Sequence, residues 1–76
     1  MPKLVIWSRF GTEERVDSQI EVADLHEATM ALGNDLIKTA DPAWAAEVME
    51  KWEADPGKLS VPDKGGFTWN FEYMED

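Results

Sequence analysis

RVDSQIEVADLHEATMALG, residues 15–33, changes its hydrophobic period halfway along. Up to Val22 the apolar residues fall on every second position: Val16, Ile20 and Val22, with Ser18 between them. Arg15, Asp17, Gln19 and Glu21 occupy the alternate positions. That is the pattern of a strand with one dry and one wet face. From Leu25 the spacing becomes three and four. Leu25, Ala28, Leu32, Leu36 and Ala40 share one face, and His26, Met30, Gly33 and Ile37 form a flanking stripe. This predicts an amphipathic helix of about four turns. Asp24 followed by Glu27 predicts its start as a capping pair. A strand that leads into a helix brings both element types into one fold, and with the elements on either side the expected class is α+β.

Upstream, KLVIWSRF (3–10) is rich in β-branched and aromatic residues. Leu4, Ile6 and Phe10 lie on one alternation, Val5 and Trp7 on the other, which reads as a strand. Gly11 turns it into the 15–22 strand as a hairpin. Downstream, Asp41-Pro42 suits the N-cap and first position of a second helix. In AWAAEVMEKWEA, Trp44, Val48 and Trp52 form a stripe with Ala45 and Met49, and Glu47, Glu50, Lys51 and Glu53 point to water. Asp55-Pro56-Gly57 ends that helix. KLSV (58–61) reads as a short strand and Pro62 to Gly66 as a turn. In the last stretch, GFTWNFEYMED, Phe67, Trp69, Phe71 and Tyr73 alternate. A strand there puts all four rings on the core face. The expected architecture is a single domain over residues 1–76. It has an antiparallel sheet of three or four strands, in the chain order β-β-α-α-(β)-β, with two helices on one face.

Function classes fall away quickly. There is no cysteine, so neither a disulfide nor a thiolate metal site is available. His26, the one histidine, sits in a capping turn without a partner aimed at it. Ser8, Ser18 and Ser60 have no nucleophile elbow. Gly65-Gly66 does not lead from a strand into a helix, so it forms no phosphate loop. No stretch has calcium-loop spacing. The expectation is a protein that is not an enzyme and takes no cofactor or metal. No apolar run approaches the ~18 residues of a membrane helix. The short apolar start, followed by Arg9, does not read as a signal peptide, and a cytoplasmic location is expected.

Charge is the feature left over. Sixteen acids face seven Lys and Arg, a net charge of -9. A surface this negative repels phosphate backbones and anionic membranes and attracts basic proteins. Two arrangements of carboxylates follow from the periodicities. Asp17, Glu21 and Glu72 would stand in a row on the open face of the sheet. Glu47, Glu50, Glu53 and Asp55 would stand on the outer ridge of the second helix, where Glu47 can pair with Lys51.

In its size, its lack of cysteine, its two-strands-then-helix order and its excess of acid, the chain resembles the small acidic inhibitors of phages and mobile elements, among them anti-CRISPR proteins and other DNA mimics. Those proteins share no common motif, so the resemblance assigns no residue. It implies a non-enzymatic inhibitor that binds a basic nuclease complex where nucleic acid would lie. The expected partner is therefore a basic nucleic-acid-binding protein, met by the seven carboxylates just named. The alternative is an assembly module, a homodimer through the second sheet face, where Val5, Trp7 and Met74 are the apolar residues.

Overall fold

The computed structural model describes residues 1–39 and 41–75. The chain runs β1 (Lys3–Phe10), β2 (Glu13–Glu21), α1 (Leu25–Leu36), α2 (Pro42–Ala54), β3 (Lys58–Pro62) and β4 (Thr68–Met74). The strands form one antiparallel sheet in the order β2-β1-β4-β3. The α+β class, the element order and the two helices on one face are those expected from the sequence. The pairing of β4 with β1 closes the sheet around its first strand.

Each helix starts as its residues dictate. The Asp24 carboxylate accepts from the Glu27 amide at 2.9 Å, and the Glu27 carboxylate accepts from the Ala23 amide at 3.2 Å. Asp41 caps α2 through the Trp44 amide at 3.1 Å, with Pro42 next in line. α1 is shorter than its pattern predicts. It ends at Leu36, and Ile37 is exposed in the turn that follows. The assignment of Ala40 to the helix face lies outside the described residues.

The core sits between the sheet and the helices. Leu4, Ile6, Val61 and Phe71 from the sheet meet Ala28, Leu32, Val48 and Trp52 from the helices. The Trp52 indole N–H donates to the Thr29 hydroxyl at 2.8 Å, which in turn donates to the Leu25 carbonyl at 3.0 Å. This chain ties α2 to α1 inside the core.

The hairpin departs from the sequence pattern at one point. Ile6 pairs with Ser18, but Trp7 pairs with Val16, so Asp17 is an extra residue in β2. This is a β-bulge. Because strand side chains alternate, one extra residue exchanges the faces of everything beyond it. Ile20 and Ser18 stay with Leu4 and Ile6 on the helix side. Val16 turns to the open side beside Trp7 and is 57% exposed. Arg15 and Asp17 move to the helix side, opposite to the expected arrangement.

The aromatic row also divides. Phe71 is core and Tyr73 packs against it. Phe67 lies before β4 begins and is 41% exposed, and Phe10, on the same alternation as Leu4 and Ile6, is 52% exposed at the hairpin tip. Neither helix reaches that end of the sheet to cover them.

Candidate protein-binding surfaces

The helix side of the sheet is left open beyond the helices. There a cleft of about 480 Å³ is lined by Ser8, Phe10, Asp17, Phe67 and Trp69, with Glu13, Glu14 and Arg15 at its rim. Its aromatic wall is fixed from several directions. The Phe10 and Phe67 rings lie 4.9 Å apart at 42°. Gly66 is at φ +92°, and a Cβ there would sit 3.0 Å from the Phe10 ring, so the turn needs glycine both for its backbone angle and for the space. Trp69 meets Trp44 edge-on at 6.3 Å, and the Trp44 indole donates to the Pro62 carbonyl at 2.9 Å.

Asp63 organises the loop behind that wall. Its Oδ1 accepts from the amides of Gly65 at 2.8 Å and Phe67 at 3.0 Å, and its Oδ2 accepts from the Trp69 indole at 2.8 Å. Burial alone would raise its pKa. The hydrogen bonds from Trp69 and from the backbone of Phe67, Gly65 and Gly66 outweigh it and hold the carboxyl below its usual value of 3.8. A depressed carboxyl contributes stability that is present above the unfolded pKa and lost as pH falls through the folded one. Asp63→Ala is therefore expected to cost about 1–2 kcal/mol at pH 7. The gap to the unsubstituted chain should narrow below about pH 4. Urea midpoints at neutral pH and at pH ~3 check this. An unchanged gap at the lower pH would mean that the ionised carboxylate is not what holds the loop.

The expected row of carboxylates on the open face does not form. The bulge takes Asp17 to the other side, where the buried Ser8 hydroxyl donates to Oδ2 at 2.9 Å and the Arg15 guanidinium lies 3.0 Å from Oδ1. Glu21 and Glu72 remain on the open face, and Glu72 is paired with Lys58 at 3.8 Å. Between them the face is mixed. Val5 is covered by its neighbours, the Arg9 guanidinium lies 5.8 Å from the Trp7 ring centre, and Ser60 hydrogen-bonds Asn70. The apolar residues named for a dimer interface are thus partly capped, while the bulge adds Val16 to them.

The helix ridge does form. Glu47, Glu50, Glu53 and Asp55 are all exposed on or just after α2. Glu47 pairs with Lys51 at 3.7 Å, as its spacing predicts. Glu50, Glu53 and Asp55 have no cationic partner among the described residues. Most of the cations are taken: Arg9, Arg15, Lys51, Lys58 and Lys64 each pair with a different acid. Glu53 and Asp55 also lie at the C-terminal end of α2, with Glu50 just before its last turn. The backbone dipole is negative there, so an acid is unfavourable and Lys51 is the one base in the last turn.

Among the described residues, no group of three His, Cys, Asp or Glu side chains is placed to hold a metal ion. His26 is exposed on the first turn of α1. No helix in the described residues is long and apolar enough to cross a membrane. Sequence reasoning missed the cleft. Its residues come from β1, β2, the start of β4 and the residue before it, and the alternation of Val16, Ser18, Ile20 and Val22 carries no cue for a bulge. Compared with protein-family models, with curated proteins and with solved structures, the chain matches none.

Proposed function

We propose that this chain is a non-enzymatic binding protein that docks its acidic surface on a basic partner, at a site where that partner holds nucleic acid. One observation carries the reading: Glu50, Glu53 and Asp55 stand unpaired together, the last two where the α2 dipole already disfavours them. A surface selected only for solubility gains nothing by crowding like charges at the negative end of a helix. Carboxylates there offer Lys and Arg the two-oxygen geometry that a phosphate offers. A field of -9 adds fast, salt-dependent steering.

The test is capture on the immobilised chain from a prokaryotic lysate freed of nucleic acid by nuclease. The expected result is a basic protein that a short DNA or RNA duplex displaces and that high salt elutes. A captured partner indifferent to both duplex and salt overturns the reading. Should the chain hold only itself, and hold through high salt, the interface is instead the open face of the sheet. Val16 beside Trp7 favours that second reading.

A further inference from the structure

The geometry points to the cleft at the hairpin end of the sheet as a receptor for an arginine side chain, with Asp17 as the carboxylate that grips it. The inference rests on the reading that the chain meets a basic partner, and it names the residue type that partner inserts.

Three observations converge. The first is the bulge. Without the extra residue, Asp17 would face open solvent on the far side of the sheet; with it, the carboxylate lies at the cleft. Bulges commonly re-aim a side chain beside a functional site. The second is how the carboxylate is held. Ser8 is 5% exposed, and its hydroxyl donates to Oδ2 at 2.9 Å, so one oxygen is anchored and the other is presented. The third is that a guanidinium already fits. Arg15 places Nε at 3.2 Å and Nη2 at 3.0 Å from Oδ1 of Asp17. The Arg15 side chain is itself 82% exposed. The Asp17 side chain is only 16% exposed, so the pair is open to water on the Arg15 side alone, and it is Arg15 that can swing away. Arg15 thus marks the chemistry of the ligand and can yield its place to an arginine from outside.

The rest of the cleft suits the same guest. Phe67 and Trp69 offer aromatic faces, on which a planar guanidinium stacks. The locked turn around Asp63 keeps Trp69 in position before any ligand arrives. Glu13, which has no cationic partner among the described residues, adds a second negative charge at the rim. An ammonium group makes neither the fork nor the stack, so lysine is the poorer ligand.

The test is an NMR titration of the folded chain with acetyl-Gly-Arg-Gly-amide and with its lysine counterpart. The arginine peptide should shift the Ser8, Asp17 and Phe67 amides and the Trp69 indole in a saturable way, and the lysine peptide should bind several-fold more weakly. Asp17→Asn keeps an acceptor for Ser8 but removes the charge, and it should weaken arginine binding about tenfold. Arg15→Ala removes the internal competitor and should tighten it. Melting curves establish that both variants are folded. Equal response to the two peptides, shifts spread over α2 instead of the cleft, or an Arg15→Ala chain that binds no tighter overturns the assignment. The titration needs no natural partner. If it fails while a duplex-displaced partner is still captured, the cleft falls and acidic docking stands. If it succeeds while no basic partner is captured, the reverse holds.

Discussion

Trp52→Ala should take most of the stability from this domain, lowering the free energy of unfolding by about 3–5 kcal/mol. Trp52 is fully buried and is the largest of the fully buried side chains. Truncating it empties the middle of the core between Leu32, Val48 and the sheet, where little can move in to fill the space. It also removes the indole N–H that joins α2 to Thr29 of α1. A domain of this length has of the order of 4–11 kcal/mol in total, so a loss of this size leaves it close to unfolding. Trp52→Phe keeps a ring but not the donor. Thr29 still donates to the Leu25 carbonyl, so the cost should be smaller, about 1–2 kcal/mol. Trp7→Ala, on the open face, should cost less than Trp52→Ala, because Trp7 is only partly covered. Urea unfolding followed by circular dichroism ranks the three variants. If Trp7→Ala costs as much as Trp52→Ala, the core is not on the helix side of the sheet.

The second large effect is on binding. Reversing Glu50, Glu53 and Asp55 together to lysine takes the net charge from -9 to -3. The variant should bind the basic partner about a hundredfold more weakly, and the salt dependence of its association rate should flatten. Its stability should move the other way. Cations near the C-terminal end of α2 meet the dipole favourably and relieve the repulsion of a net charge of -9, a gain of roughly 1 kcal/mol at low salt that outweighs the repulsion among the new lysines and Lys51. Gain in stability with loss of binding is the signature of residues kept for a partner. Reversing Asp17, Glu21 and Glu72 makes the informative contrast. That set breaks the Ser8 and Arg15 contacts of Asp17 and sets the new lysine at 72 against Lys58, so it should lower stability. Thermal melts and surface plasmon resonance against the captured partner read both quantities. A helix triple that loses stability, or one that binds unchanged, removes the basis for acidic docking.

Much of the fold is legible because its signals are local. Asp24 with Glu27 and Asp41 with Pro42 mark both helix starts within a few residues. The stripe of Ala28, Leu32 and Leu36 marks the buried face of α1. Pro56 and the glycine after it mark where α2 stops. The ridge of Glu47, Glu50, Glu53 and Asp55 is legible for the same reason, since an exposed helix face needs only the helical period to be placed. The row of Asp17, Glu21 and Glu72 is of another kind. It requires three residues on two strands that are not neighbours to share a face, which depends on registers across β1. The aromatic row is similar. Alternation puts Phe67, Trp69, Phe71 and Tyr73 in line, yet whether a ring is core depends on how far the helices extend over it, and they stop short of Phe67.

By itself, then, the sequence determined the α+β class, the order of elements, the capped helices and a net charge of -9. These follow from short-range backbone preferences, hydrophobic period and a sum of charges. The tertiary structure alone decided which strands are neighbours, where β2 takes in an extra residue, and therefore which way Val16 and Asp17 face. A bulge is settled by how two strands and the loops at their ends fit together, not by the residue that is extruded. One such residue moves a carboxylate from an open sheet face to an aromatic cleft.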